Sequence, residues 1–233
     1  MIPPSGRGLR PEKGWRHIDE RKATFSAGRG HGRAVTGQFT GAASATAAPG
    51  TLGTVSEGWV EIRWTEQAQA LLDRFQAVVE AVAPAQLVQD AQGRAIRFPV
   101  RSGQGDPSAA DPPKAHGDGR LDGGVDIRTP DGNVRVTGLA GALQDGLASG
   151  MCVVNGVDLG HQAVVQPGLD KGVLKTESVP LGKPMKVRMT DVPLRPTPEL
   201  VETFSNTFGG ADFTTDTVLA HVTAEGVYTP PKG

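Results

Sequence analysis

Hydrophobic and polar positions alternate along Trp59–Trp64, with Val60, Ile62 and Trp64 on one face and Trp59, Glu61 and Arg63 on the other. A period of two marks a half-buried strand. The period then lengthens. Thr65 is placed to cap a helix whose apolar positions Leu71, Leu72, Phe75, Val78, Val79 and Val82 form one stripe. Pro84, which lacks an N–H and restricts the residue before it, ends that helix. A second helix is marked by Thr197 as N-cap, Pro198 at its first position, a stripe of Leu200, Val201, Phe204 and Phe208, and Gly209 as its stop. Both helices are short, so each has to bury its stripe against something larger.

The partner for those stripes is a sheet. Short β-rich runs recur at Ala95–Val100, Arg120–Arg128, Asn133–Leu139, Gly150–Val154, His161–Val165, Lys186–Val192 and Val218–Val222. Pro130, Asp131 and Gly132 make a turn between the second and third runs, because proline fixes φ and glycine accepts φ > 0. Val125 and Ile127 then face Val134 and Val136 across a hairpin. The pattern predicts a mainly β, β-rich α+β fold: an antiparallel β-sandwich or barrel with two short amphipathic helices packed on it. Its interior is expected to be plugged by aliphatic side chains. The polar stretch 102–119, which holds Pro107, Pro112 and Pro113, predicts a long surface loop and the candidate for a mobile lid.

Composition sharpens the organisation. With 32 glycines and 18 prolines in 233 residues, the chain suits many tight turns better than a helical bundle. Residues 1–50 carry a balance of +5 and the remainder −6, and neither the Arg-rich start nor the Gly/Ala/Ser/Thr tract after it has apolar periodicity. The expected division is a disordered N-terminal segment 1–53, basic and then small-residue-rich, a single β-rich domain 54–228, and a tail 229–233. The N-terminus is not a secretory signal, since no apolar stretch follows its basic part. If that segment is sequence upstream of the true start, the domain belongs outside the cell or in the envelope; if the chain is complete as given, it belongs in the cytoplasm. A net charge of −1 gives no general field for nucleic acid or anionic lipid, and no apolar run is long enough for a membrane span.

Candidate chemistry is sparse. A single cysteine cannot make an internal disulfide or a thiolate zinc cage. Cys152 lies among Met151, Val153 and Val154, the setting of a buried structural thiol, although His161 opens the next run and could sit beside it as a base. No Gly-x-Ser-x-Gly elbow, phosphate loop, His-Glu-x-x-His helix or dinucleotide fingerprint occurs. Asp118, Asp122 and Asp126 recur at intervals of four, but in an extended strand such neighbours stand about 13 Å apart, at roughly 3.3 Å per residue, too far for one cation. A solvated strand edge is the expectation there. His17, His31, His116, His161 and His221 show no metal-ligand spacing, and alternation turns His221 to the surface. Tyr228 follows the last run. No catalytic residue, metal ligand or cofactor-binding residue is therefore assigned, and no cofactor is implied.

Three stretches nevertheless resemble a known kind of domain. They are Ile62-Arg-Trp-Thr before a helix with Leu71 and Phe75, Phe98-Pro99-Val100 before a glycine-rich loop, and Gly119-Arg-Leu-Asp-Gly-Gly-Val-Asp-Ile127. The order is completed by Val192–Val201, Phe204-Ser-Asn-Thr-Phe208 and Phe213–Val222. Together these resemble exported actinobacterial domains related to the HtaA haem-binding module. The resemblance implies a β-sandwich-like domain with accessory helices that binds something at the cell surface or outside. In that module the haem ligand is a tyrosine in the helix after the tryptophan, whereas Thr65 to Val82 contains none, and Leu121-Asp122 stand where a histidine often precedes the paired glycines. No haem-site residue is transferred.

The leading functional expectation is a non-catalytic binding or assembly module of the envelope or extracellular space, meeting a protein partner through edge strands or loops. Two alternatives are a haem or small-ligand carrier and a small barrel enzyme that cyclises or isomerises an apolar intermediate. The enzyme requires an apolar cavity of several hundred Å³ with Cys152, His161 or Glu177 reaching into it.

Overall fold

The computed structural model describes residues 52–106, 117–142, 145–180, 182–210 and 212–231. The expected N-terminal segment up to position 51 and the centre of the expected lid, residues 107–116, lie outside them. Twelve strands and two helices follow in the order β1 (Gly53–Trp64), α1 (Glu66–Arg74), β2 (Val78–Val82), β3 (Gln86–Asp90), β4 (Gly93–Gly105), β5 (Gly117–Leu121), β6 (Gly124–Thr129), β7 (Gly132–Ala142), β8 (Leu147–Val154), β9 (Val157–Pro167), β10 (Val173–Thr176), β11 (Met185–Pro196), α2 (Pro198–Phe208) and β12 (Ala220–Thr229).

Eight strands close into an antiparallel barrel, β7–β5–β4–β1–β12–β11–β9–β8, with β8 returning to β7. Four more are laid on it: β6 and then β2 beside the first half of β7, β3 beside β4, and β10 beside β11. The expected hairpin is present, with Val125 opposite Val136 and Ile127 opposite Val134. The expected single run 120–128 is two strands. Asp122 donates its N–H to Pro99 at 3.0 Å and Gly123 takes φ +91°, so the chain leaves β4 and reappears beside β7 as β6. The 102–119 stretch is strand at both ends, since β4 runs on to Gly105 and β5 starts at Gly117.

The first helix is shorter than its apolar stripe predicts. It ends at Arg74, Gln76 takes φ +52°, and Val78–Val82 is β2, paired with β6. Two adjacent β-branched valines favour the extended chain, and the free edge of β6 supplies the ladder that a further helical turn would forgo.

Each helix starts at a threonine that does two jobs. Thr65 accepts from Ala68 N–H at 3.1 Å and donates to the Val218 carbonyl at 3.0 Å. Thr197 accepts from Leu200 N–H at 3.2 Å and donates to the Ala163 carbonyl at 2.9 Å. The cap that satisfies an orphan amide therefore also ties α1 to the segment before β12 and α2 to β9. Phe75 of the α1 terminus and Phe204 and Phe208 of α2 then meet, with Phe204–Phe208 centroids 5.0 Å apart and edge-on. They pack on a core of Ile96, Phe98, Val134, Val136, Leu139, Cys152 and Val164. No described helix is long and apolar enough to cross a membrane.

Phe208 is buried between the aromatic cluster and the barrel, so Phe208→Ala leaves a void under both helices. The expected loss is about 3–5 kcal/mol, read as a fall in the urea midpoint at unchanged slope.

Candidate ligand-binding site

Only part of the barrel is filled, which corrects the expectation of a solid interior. Beside the core lies a partly enclosed hollow of about 410 Å³ with an overwhelmingly apolar lining. Ile62, Leu121, Leu139 and Val165 belong to both regions, packing against the core and flooring the hollow. A cavity of that volume is in the range of small-molecule sites.

The hollow follows from which residues point inward. Hydrogen-bonded neighbours round the wall run Met185, Tyr228, Val55, Gly103, Gly119, Gly141, Ala148 and Val165, and the row then returns to β11 at Pro196, as a tilted closed barrel requires. Four consecutive members carry nothing beyond a Cβ. A second row, Gly53, Gly105 and Gly117, lies two residues further along the same strands. One wall is thus bare backbone, and Leu174, Val187, Met189 and Val192 stand among the residues lining the rest. At Gly119 a Cβ would meet nothing nearer than the Ser102 carbonyl at 3.7 Å, so the space there is open.

Tyr228 is not beyond the last strand, as the sequence suggests, but inside it: β12 extends to Thr229, and Tyr228 lines the hollow while being 4% exposed. Its ring lies across Gly53, where a Cβ would collide with the ring and hydroxyl. Burial pushes the phenol above its ordinary value and the charge of Asp106 adds to this; the adjacent Gly53 backbone pulls the other way without cancelling them. Tyr228 is therefore protonated at neutral pH.

The ionisable groups that β5 and β12 bring beside the hollow, Asp118, Arg120 and Glu225, face away from it. On β5, Asp118 and Arg120 alternate with the inward Gly119 and are exposed. Asp118 accepts from Gln104 at 2.5 Å, and Glu225 pairs with Arg188 at 3.3 Å. Cys152, His161 and Glu177 do not line the hollow. Cys152 is buried in the filled part, where burial pushes its thiol up, and His161 and Glu177 are exposed.

The remaining candidates are also dispersed. His221 is exposed, as alternation requires, and His17, His31 and His116 lie outside the described residues. Asp126 is buried, not solvated, and accepts from Arg135 at 2.6 Å. Among the described residues no group of three His, Cys, Asp or Glu side chains is arranged to hold a metal ion. Strands β2, β3 and β10 each pair on one side, so their other edges are where strand-to-strand partner contacts would form.

No family model and no curated protein matches the chain. Among solved structures it is similar to the C-terminal domain of HtaA from Corynebacterium glutamicum, at 12% identity and a TM-score of 0.46, over 76% of this chain and 99% of that one. It is also similar to the haem-binding protein HtaB from the same organism, at 9% identity and a TM-score of 0.41, over 76% of this chain and 94% of that one. The resemblance is distant.

No haem-site residue is carried over from the sequence resemblance, and the described lining residues can be compared with the ligands haem iron takes. Protein ligands to haem iron are His, Cys, Met or Tyr. The groove between α1 and the β3–β4 hairpin, lined by Trp64, Thr65, Gln69, Asp73, Gln92 and Arg94 among others, has none of the four. In the hollow the residues of these types are Met189 and Tyr228, and Tyr228 would have to surrender a proton that its surroundings hold.

Cys152 supplies a check on the filled half. Buried, with its Sγ 3.8 Å from the Gly150 carbonyl, it should react with Ellman's reagent at least about a hundredfold more slowly in the native protein than in urea, since reaction needs both exposure and thiolate. A thiol that titrates at once in native buffer would mean that the core is open at β8.

Proposed function

We propose that this domain is a small-ligand carrier that holds an apolar molecule, noncovalently, in the unfilled part of its barrel. The observation behind the reading is the run of inward glycine and alanine at Gly103, Gly119, Gly141 and Ala148, which leaves about 410 Å³ of aliphatic-walled space beside a well-packed core. Protein interiors otherwise pack to the density of organic crystals, and an apolar void costs roughly 20–25 cal/mol per Å³. Even a fraction of this volume amounts to several kcal/mol, comparable with the whole stability of a typical domain. A fold that keeps such a space gains from an occupant.

The cyclase or isomerase alternative asked that Cys152, His161 or Glu177 reach the guest, and none of them lines the space. A carrier asks for no reactive group. Burial of apolar surface supplies its affinity and the fixed wall supplies its fit.

Gly119→Leu tests the reading. The glycine has ordinary φ and open space above it, so leucine enters the hollow without strain. Wild-type protein is expected to bind Nile red saturably at one equivalent, with a blue-shifted, enhanced emission. The variant should melt no lower than wild type and bind the dye at least about tenfold more weakly, a loss of ~1.4 kcal/mol. Equal binding by a folded variant would place the dye elsewhere and remove the site.

A further inference from the structure

Lysine is confined to one place in the fold. The lysines among the described residues are Lys171, Lys175, Lys183 and Lys186, and all fall on β10, the start of β11 or the turns beside them. All are exposed. Arginines elsewhere are mostly held in ion pairs, as Arg63, Arg97 and Arg135 are, but of these lysines only Lys171 is so held, by Asp170 at 2.8 Å. The acids nearby are turned to other partners: Glu177 accepts from the Lys186 backbone N–H at 3.4 Å, and Glu225 of β12 pairs with Arg188 at 3.3 Å. Asp191 lies beyond the β10 ladder, next to Thr190. Lys175 stands directly opposite Arg188, and like charges in register oppose folding. A lysine on an edge strand such as β10 guards that edge, yet β11 is paired on both sides, so Lys186 and Arg188 guard none. The chain after residue 50 carries a balance of −6, so this basic face runs against the sign of its surroundings.

The same strands wall the hollow. Alternation puts Leu174, Val187 and Met189 on its lining and Lys175, Lys186 and Arg188 on the opposite face. On β4 the core residues Ile96 and Phe98 come before the lining residues Gly103 and Gly105, so the hollow reaches away from the core towards Tyr228. Tyr228 pairs with Met185, which adjoins Lys186.

We infer that the lysine face of β10 and β11 docks the domain on an anionic lipid surface, with the Tyr228 end of the hollow beside it. Ammonium groups on flexible stems lack the fixed fork of arginine, so they answer to charge density more than to a shaped group. An anionic leaflet supplies that density and attracts basic segments within a Debye length. No aromatic residue occurs from Leu169 to Thr190 on which a base could stack, which makes nucleic acid a poorer fit. The charge argument stands on the hairpin alone. The choice of lipid over an acidic protein rests on the carrier reading, because an apolar guest is collected from or delivered to a membrane.

The test is co-sedimentation of the full chain with vesicles of phosphatidylcholine alone or with added phosphatidylglycerol. Wild type is compared with Lys175→Gln/Lys183→Gln/Lys186→Gln and with Arg94→Glu/Arg101→Glu, which removes at least as much positive charge from β4. Wild type is expected to bind the anionic vesicles, to ignore the neutral ones and to be released by salt. The lysine variant should bind at least about tenfold more weakly and the arginine variant within about twofold of wild type. The lysine variant should keep the wild-type melting temperature and Nile red binding, since these side chains are exposed and unpaired with acids. Equal vesicle binding by wild type and the lysine variant, equal losses in both variants, or no binding by wild type overturns the inference and leaves the hollow standing. Polyglutamate that displaces the protein at a charge concentration equal to that of the lipid assigns the face to an acidic protein and overturns it as well. Lysine-dependent vesicle binding by a protein that takes up no Nile red keeps the docking face and removes the carrier reading.

Discussion

In a closed antiparallel barrel the backbone ladder sets the circumference, so only the inward side chains decide whether the interior is solid. Eight strands make a ring that side chains can just fill or that can hold one small ligand. Here one part of the barrel is filled and another is hollow. Phe98, Ile96, Val134 and Val136 fill one part, and the glycines of β4, β5 and β7 leave the other unfilled. The residues of the bare wall are themselves paired, Gly103 with Gly119, Gly119 with Gly141 and Gly141 with Ala148, so the space is not a gap between strands.

That division separates the residues that pack the core from those that line the hollow. Both helices dock through Phe75, Phe204 and Phe208 onto the filled part, and the threonine caps anchor them to β9 and to the segment before β12. Outside the barrel, Glu61 accepts from Arg97 and Arg63 at 2.8 Å each, Arg63 reaches on to Asp90, and Arg97 lies over Trp59 at 4.4 Å, so β1, β3 and β4 are cross-linked on their outer face. Burial works against the Glu61 carboxylate, but the two guanidiniums outweigh it and hold the group below its ordinary value. The charged network therefore belongs to the outer surface. It leaves the inner one apolar.

Much of this was legible from pattern. The alternation at Val60, Ile62 and Trp64, the helix over Leu200–Phe208 and the Val125–Val136 hairpin are encoded locally, by period and by turn chemistry, and they appear where that reasoning puts them. The misreadings share one cause, a tertiary partner that local sequence does not show. Val78–Val82 continues a helical stripe but is claimed by the edge of β6. Ser102–Gly105 and Gly117–Gly119 look like loop because they lack apolar residues, yet a strand facing a hollow needs none. A signal was present: Gly103 and Gly105, then Gly117 and Gly119, stand two apart, the period of one strand face, on both arms of the connection. Glycine at strand period marks close backbone approach or deliberate space as readily as it marks a turn. Tyr228 was missed for the complementary reason. Its burial depends on Gly53, at the far end of the folded sequence.

A wall of backbone and a wall of side chains recognise a guest differently. The glycine face offers no protrusions to match, so in the proposed carrier the shape of a guest would be met by Leu174, Val187 and Met189. Methionine adapts to irregular contours through its three rotatable bonds and polarisable sulfur. Such a surface is tolerant of shape. In the proposed carrier affinity would come from apolar area, at roughly 25 cal/mol per Å² removed from water, and would be opposed by the cost of desolvating whatever is not apolar. The two arise from different terms, so a carrier built this way would accept many skeletons and disfavour polar ends that it leaves unpaired.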